Sequence, residues 1–348
     1  MHSLALRHLE SLAFSTEHVS TLKKIGESKG KQALFSQQTP EILDSLRQAA
    51  IVESSQSSNR MEGVVVPYKR VRALVLKSTA PQNRSEQEVA GYRDALDLIH
   101  GSAPYMDFSV NVIRQLHSTI NRYMPDPGGQ WKMAENDIVE RNSDGSFRRT
   151  RFKTVSPVAT PQAMEDLVGR YKEAVHDHRK EPLVVIPLAI LDFLCIHPFG
   201  DGNGRVSRLL TLLLLYHFDY QVGRYIGLER IFEDSKETYY EALERSSQGW
   251  HEGAHDVFPW STYFWGTLLL AYRELEDRVG KIRTGKGAKT AQVRMAVDRR
   301  AGPFAISEIE SDCPGVSRDM IRLVLRQLRD EGMIVSQGKG RGARWIRK

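Results

Sequence analysis

Twelve residues between two apolar runs concentrate the chemistry of this sequence: His197-Pro198-Phe199-Gly200-Asp201-Gly202-Asn203-Gly204-Arg205-Val206-Ser207-Arg208. Three glycines let the backbone turn tightly and aim N–H groups inward. Such a nest, finished by a helix start, is an anion site. Arg205 and Arg208 stand three apart on the expected first turn of that helix, so both can point at one polyphosphate. Asp201 offers a hard oxygen of the kind Mg²⁺ takes together with phosphates. His197 is the residue here that can accept a proton near neutral pH. A phosphate cradle, a metal ligand, two clamps and a base form a phosphoryl- or nucleotidyl-transfer set. No Gly-Lys-Ser/Thr is present and the first glycine follows a helix pattern, which excludes a Walker P-loop.

The segment fits His-Pro-Phe-x-Asp-Gly-Asn-Gly-Arg-x-x-Arg at every specified position and in this resembles the Fic (filamentation-induced-by-cAMP) family. The resemblance implies a mainly α fold with a helical core, and transfer of AMP from ATP to a Ser, Thr or Tyr hydroxyl of a target protein and of the chain itself. Carried onto the matching positions, it implies that His197 deprotonates the hydroxyl and that Asp201 binds Mg²⁺ between the α- and β-phosphates. Gly202, Asn203 and Gly204 would hold phosphate oxygens, Phe199 would anchor the loop, Arg205 would meet the β-phosphate and Arg208 the γ-phosphate. Two alternatives stand beside this: AMP removal or another phosphate-group transfer on the same loop, and a DNA-binding regulator whose core senses ATP.

Other segments extend the resemblance. Ser58-Asn59-Arg60-Met61-Glu62-Gly63 fits the family's inhibitory motif, Ser/Thr-x-x-x-Glu-Gly/Asn. It implies that Glu62 pairs with Arg208 and keeps the γ-phosphate out. Tyr239 and Tyr240 stand where the family often keeps two tyrosines near adenine; Ser247 replaces an asparagine common there. A hairpin expected over Ile138–Phe152 takes the place of a target-docking flap, whose exposed edge would register a target segment by β-augmentation. Glu86, Tyr92 and His117 match core residues and read as structural. His251 and His255 are four apart, but Gly249 and Gly253 argue against a rigid helix there, and so against a metal site.

The elements that must position these residues follow from periodicity. The first forty residues are weakly patterned. Helices are expected over Glu41–Ser58 with Gly63 as a stop, Ser85–Ile99 with a Ser85/Glu88 capping box, and Val110–Tyr123. Others are expected over Thr160–His178, Val184–Cys195, Arg205–Phe218, Ser235–Gln248 and Trp260–Val279. Asn142-Ser143-Asp144-Gly145 marks the hairpin turn. Gly280–Thr290 reads as a linker. After it come helices at Gln292–Arg299, from Ser307, and at Ser317–Glu331, then a hairpin from Met333 to Arg347.

That last unit resembles a small α+β winged helix-turn-helix. The whole divides into an N-terminal region (1–84) with an inhibitory helix near 41–63, a catalytic domain (85–279), the linker (280–290) and the winged unit (291–348). Residues 281–348 hold 16 Lys and Arg against 7 Asp and Glu, while the chain of 348 residues carries a net +6, so the body is mildly acidic and the tail basic. A basic tail points to duplex DNA, met by Arg318, Arg322 and Arg329 of the third helix and by Lys339 and Arg341 of the wing. Two cysteines, Cys195 and Cys313, exclude a disulfide framework. The expected setting is cytoplasmic, away from membranes, and the family resemblance implies a homodimer.

Overall fold

A computed structural model describes residues 3–36, 40–141, 144–176, 181–284, 288–298, 300, 302–313, 316–338 and 344–347. The chain divides into two compact units, Met1–Leu275 and Glu276–Lys348. Both are helical with one small hairpin each, as the sequence pattern implied. Among the described residues, no helix is long and apolar enough to cross a membrane.

The first unit begins with α1 (Leu6–Ser11), α2 (Thr16–Ser36), α3 (Pro40–Met61), α4 (Tyr68–Val75), α5 (Arg84–Ser102) and α6 (Val110–Ile120). The antiparallel hairpin of β1 (Ile138–Arg141) and β2 (Phe147–Phe152) follows. Then come α7 (Thr160–His176), α8 (Pro182–Ile196), α9 (Asn203–His217), α10 (Leu228–Asp234), α11 (Lys236–Ser247) and α12 (Phe258–Thr284), the last of which passes into the second unit after Leu275. The pair α8 and α9 forms the centre. Every residue of α8 from Val185 to Ile196 is buried, as is every residue of α9 from Arg205 to Tyr216. A helix apolar on all sides belongs inside a protein, and the loop joining these two is therefore held from both ends by the core. Trp260 and Trp265 of α12 lock α8 by donating their indole N–H groups to the carbonyls of Pro187 (2.9 Å) and Leu183 (2.7 Å).

Helices α4 and α10 stand where no helix was expected, and three further elements differ from the sequence expectation. The first forty residues include the 21-residue helix α2, whose Gly26 and Gly30 hide its periodicity. The α5 cap is Asn83, whose side chain accepts from Glu86 N (3.0 Å), so Ser85 and Glu88 form no capping box. Glu86 instead takes Gln82 N–H and pairs with Arg70 at 2.6 Å, and Glu88 turns inward to an arginine of α9. Most of the expected linker is helical: α12 runs to Thr284 and the next helix starts at Ala288, with 285–287 outside the described residues. Lysine and arginine extend helices well, and their abundance there hid the continuation.

The second unit contains α13 (Ala288–Asp298), α14 (Ile306–Asp312), α15 (Arg318–Asp330) and the hairpin β3 (Ile334–Gln337) and β4 (Arg344–Arg347). Its core gathers Val293, Val297, Phe304, Ile309, Ile321, Leu325, Leu328 and Ile334. Ser317 caps α15 by accepting from Met320 N, and Gly332 at φ 77° ends the run after it. Phe304 pairs with Trp345 beside the hairpin, adding a third extended segment.

Candidate active site

His197 terminates α8 in the left-handed region, at φ 53° and ψ 59°. A non-glycine residue there costs on the order of 1 kcal/mol or more and persists only where its surroundings enforce it. The enforcement is visible. His197 N donates to Phe193 O at 2.9 Å, and Nδ1 lies 3.2 Å from Leu194 O. A carbonyl can only accept, so Nδ1 carries the proton and the lone pair of the neutral ring sits on Nε2. Burial pulls the imidazole down to about 4, helped by the nearby Lys132 charge. At neutral pH the ring is therefore unprotonated.

The loop after His197 is stitched to its surroundings. Asn203 closes on Phe199 twice, accepting from its N at 2.9 Å and donating to its O at 2.7 Å. The fully buried Phe199 ring stacks on His117 at 3.8 Å. His117 Nδ1 accepts from Gly129 N (2.7 Å), which leaves Nε2 to donate to Asp201 O (3.0 Å). Asn136 donates to Phe199 O (2.6 Å) and His197 O (3.2 Å). Beneath it, the Lys132 ammonium donates to Asn136 Oδ1 (2.7 Å), Thr154 Oγ1 (2.8 Å) and the Ile196 carbonyl (3.2 Å). Burial lowers this amine to about 8. Sequence reasoning missed Lys132 and Asn136, because neither stands in a motif and their partners are distant in sequence. Replacing Lys132 by methionine keeps the stem but leaves the Ile196 carbonyl unpaired. We expect this to cost about 1–3 kcal/mol of stability, read as a lower urea midpoint at constant slope.

The start of α9 is already occupied by a carboxylate. Gly202 at φ 79° turns the chain into α9. A Cβ placed on Gly204 would lie 2.4 Å from Glu62 Oε1, so the Glu62 carboxylate rests directly on the first turn of α9. A helix N-terminus favours an anion there. Arg208 completes the contact: Nη2 donates to Glu62 Oε1 at 2.7 Å and to Ser58 O at 3.0 Å, and Nε donates to Ser58 Oγ at 2.8 Å. Burial opposes the charge of Arg208, yet Glu62 outweighs it and holds the guanidinium above its usual range. Glu62 is aimed by the end of α3. Gly63 at φ 83° donates to Arg60 O (2.9 Å) and Val64 N to Asn59 O (2.9 Å), a Schellman closure that makes Glu62 the capping residue. The helix itself is tied down through Ser54 to Glu229 (2.5 Å), Arg60 to Glu233 (3.3 Å) and Lys236 Nζ to Met61 O (3.0 Å).

A cavity of about 400 Å³ collects these groups. His197, Asp201, Gly202, Asn203, Gly204, Arg208 and Glu62 are among its lining residues. Tyr239, Tyr240, Leu243 and Ser247 of α11 line it as well, with Leu191 and Leu194 of α8. The hairpin borders the cavity through Ile138, Arg151 and Phe152, and is fastened to α11 by Arg149 and Arg151, both paired with Glu244. Arg205 departs from the expectation that both arginines address one phosphate chain. It is buried outside the cavity lining, with Nη1 on Glu88 Oε2 at 2.7 Å and Nη2 3.5 Å from Asp201 Oδ2. The Asp201 side chain is 78% exposed, and Oδ1 also accepts from Gly202 N at 2.6 Å. One accessible carboxylate beside a phosphate cradle fits the donor chemistry of Mg²⁺, which keeps waters and phosphates as its other ligands.

The remaining candidates are placed as follows. Tyr92 OH donates to the buried Glu229 (2.8 Å). His251 meets Lys153 O (2.7 Å) and His255 meets Ser3 Oγ (2.8 Å), so the two rings serve separate packing contacts. In the second unit, Arg318, Arg322 and Arg329 are exposed and pair with Glu310, Asp319 and Asp330. Lys339 and Arg341 lie outside the described residues.

Residues 107–215 match the model of the Fic/DOC family. The chain is 22% identical over 315 residues to a protein adenylyltransferase Fic of Culex quinquefasciatus, covering 82% of this chain and 58% of that one. It is 25% identical over 259 residues to a protein adenylyltransferase Fic of Drosophila melanogaster, covering 72% and 45%. The chain thus spans about half the length of these curated relatives. In fold it is similar to the crystal structure of a Fic family protein from Desulfovibrio desulfuricans G20, with a TM-score of 0.64, 20% identity and 97% of each chain covered.

Proposed function

We propose that this chain, whose residues 107–215 match the Fic/DOC family, transfers AMP from ATP to a protein hydroxyl and is held inactive by Glu62. The observation that carries this reading is the Glu62 carboxylate seated on Gly204 and paired with Arg208, in the same cavity as a neutral His197. The acceptor is a Ser, Thr or Tyr hydroxyl, on a target protein or on the chain itself.

In this reading the triphosphate lies along the start of α9, with its base toward Tyr239 and Tyr240. His197 Nε2 takes the hydroxyl proton as the oxygen attacks the α-phosphorus. The bond from that phosphorus to the bridging oxygen breaks and pyrophosphate leaves. Backbone N–H groups at Asn203 and Gly204 stabilise the developing charge, and Arg208 holds the γ-phosphate once Glu62 has withdrawn. Asp201 would hold Mg²⁺, which supplies charge neutralisation on the phosphates. Arg205 acts from below, keeping Asp201 placed through Glu88 and its own guanidinium. The reading is tested by incubating the chain with ATP and Mg²⁺ and comparing the adenylyl mass gained with the pyrophosphate released. A one-to-one ratio supports it; pyrophosphate without covalent mass speaks against it.

A pH dependence follows. The neutral imidazole is the base, and burial places its titration near 4. Activity should therefore stay level as pH falls from 8 through 6 and drop only on approach to 4. An exposed histidine would lose half its base form near 6.5, so a half-maximum there in labelling rates contradicts the buried base.

For the second unit we propose a winged helix that meets duplex DNA. Three exposed arginines along α15 and the order of three helices and a hairpin support it. Binding of the full chain to duplex DNA should fall steeply with salt, since arginine and lysine displace condensed counterions. Arg322→Glu should weaken it. A flat salt response would leave this unit as a protein-contact module. A homodimer remains part of the proposal, tested by the mass in solution.

A further inference from the structure

A second cleft, of about 750 Å³, opens in the first unit between α2, α3 and the turn that follows α9. Its residues play no part in the nucleotide reading. Arg47, on its wall, precedes Glu62 by fifteen residues along α3, on the order of 22 Å at 1.5 Å per residue. The two cavities are therefore separate.

The cleft is open along α2. Gly26 and Gly30 lie one turn apart on α2, and a Cβ added to either would meet nothing within 4 Å. Each glycine inside a helix weakens it relative to alanine. What the two provide is open backbone beside charge. Lys29, Arg47 and Arg224 all line the cleft, and among the described lining residues Asp219 is the one carboxylate.

None of the three cations is neutralised by that carboxylate. Asp219 Oδ1 accepts from Gln221 Nε2 (3.3 Å), and its backbone, held at φ 60°, offers its carbonyl to Gln32 Nε2 (2.9 Å). Arg224 is held by neutral groups: it donates to Gln221 Oε1 and to the His100 carbonyl, and lies 4.5 Å over the Tyr216 ring. Lys29 Nζ lies 4.5 Å over the Tyr220 ring. Arg47 Nε is buried with no hydrogen-bond partner. An unsatisfied buried donor is costly, and more so on a charged group. Behind the cleft, burial lowers the His100 imidazole to about 3, and the charges of Arg224 and Arg47 push in the same direction. The surplus is positive, and the guanidinium forks suit an oxyanion with several acceptors.

We propose that this cleft binds a compact phosphate-bearing anion of the pyrophosphate or phosphomonoester class. The open glycine backbone admits it, Arg47 and Arg224 supply guanidinium donors, and Lys29 adds charge from α2. This inference does not depend on the adenylylation reading.

The test is calorimetric titration of the full chain with sodium pyrophosphate at fixed ionic strength. Three variants are compared with the unaltered chain: Arg47→Gln with Arg224→Gln, Lys29→Gln alone, and Arg208→Ala, which reports any binding at the nucleotide cavity. The double variant is expected to weaken binding at least tenfold and Lys29→Gln to weaken it several-fold, while Arg208→Ala removes only whatever heat arises in the nucleotide cavity. Loss of binding in Arg208→Ala with retention in the double variant overturns the proposal. So does an equal response to sodium acetate at the same ionic strength. If circular dichroism finds the double variant unfolded, Lys29→Gln decides, and full retention of affinity there overturns the proposal. Flotation with phosphatidylcholine vesicles containing a phosphoinositide identifies the source of the phosphate. Flotation lost on Lys29→Gln assigns a lipid headgroup, whereas pyrophosphate binding without flotation assigns a soluble ligand.

Discussion

Glu62→Gly is expected to raise autolabelling from α-labelled ATP by about 10²-fold. In the unaltered chain the Glu62 carboxylate rests on Gly204 and takes Arg208 Nη2 at 2.7 Å. A triphosphate entering the cavity meets a carboxylate where its γ-phosphate should lie, and the arginine that should receive it is engaged. ATP can still enter, but its α-phosphorus stands off line, and misplacement by about an ångström can cost ~10²-fold. Glycine removes both charge and obstruction. The helix end survives, because its closure uses the backbone of Asn59, Arg60, Gly63 and Val64 and not the Glu62 side chain. Adding Arg208→Ala should abolish the gain, since the released guanidinium is what aligns the phosphates. Equal rates for the unaltered chain and Glu62→Gly would leave Glu62 as a helix cap and nothing more.

His197→Ala in the Glu62→Gly background is expected to lower transfer by ~10²–10⁴-fold, the usual weight of a positioned base. Nucleotide affinity should hardly change. The imidazole acts on the hydroxyl proton, while the phosphates are addressed from α9. Equilibrium binding of a non-hydrolysable ATP analogue, measured beside the labelling rate, separates the two effects. Near-normal labelling would remove His197 from the base role. Equal loss of binding and labelling would make it a structural residue of the loop.

The loop from His197 to Arg208 was legible because its chemical demands fall on contiguous residues. Tight turns, a hard oxygen, cations and a base are all local requirements. The contact of Glu62 with Arg208 was implied only by the resemblance of Ser58–Gly63 to the family's inhibitory motif, since nothing in the spacing of the two residues joins them. What lay beyond the sequence were choices between near-equivalent partners. A spacing of three placed Arg205 and Arg208 together, but could not tell that Glu88 would hold Arg205 beneath the loop. Asn83 and Ser85 are both good caps, and the competition was settled by Glu86 reaching Arg70 and Gln82. Lys132 carries no pattern at all, since its partners Asn136, Thr154 and Ile196 meet only in the folded chain. Glycines concealed α2 because its burial is decided by neighbours far along the sequence.

The most direct test uses the Glu62→Gly chain with Mg²⁺ and ATP labelled either at the α- or at the γ-phosphate. The protein is then denatured and washed, and bound label is counted. AMP transfer under Glu62 control predicts stable label from the α position, none from the γ position, and far less of either on the unaltered chain. Label from the γ position, or equal α-label with and without Glu62, would contradict it.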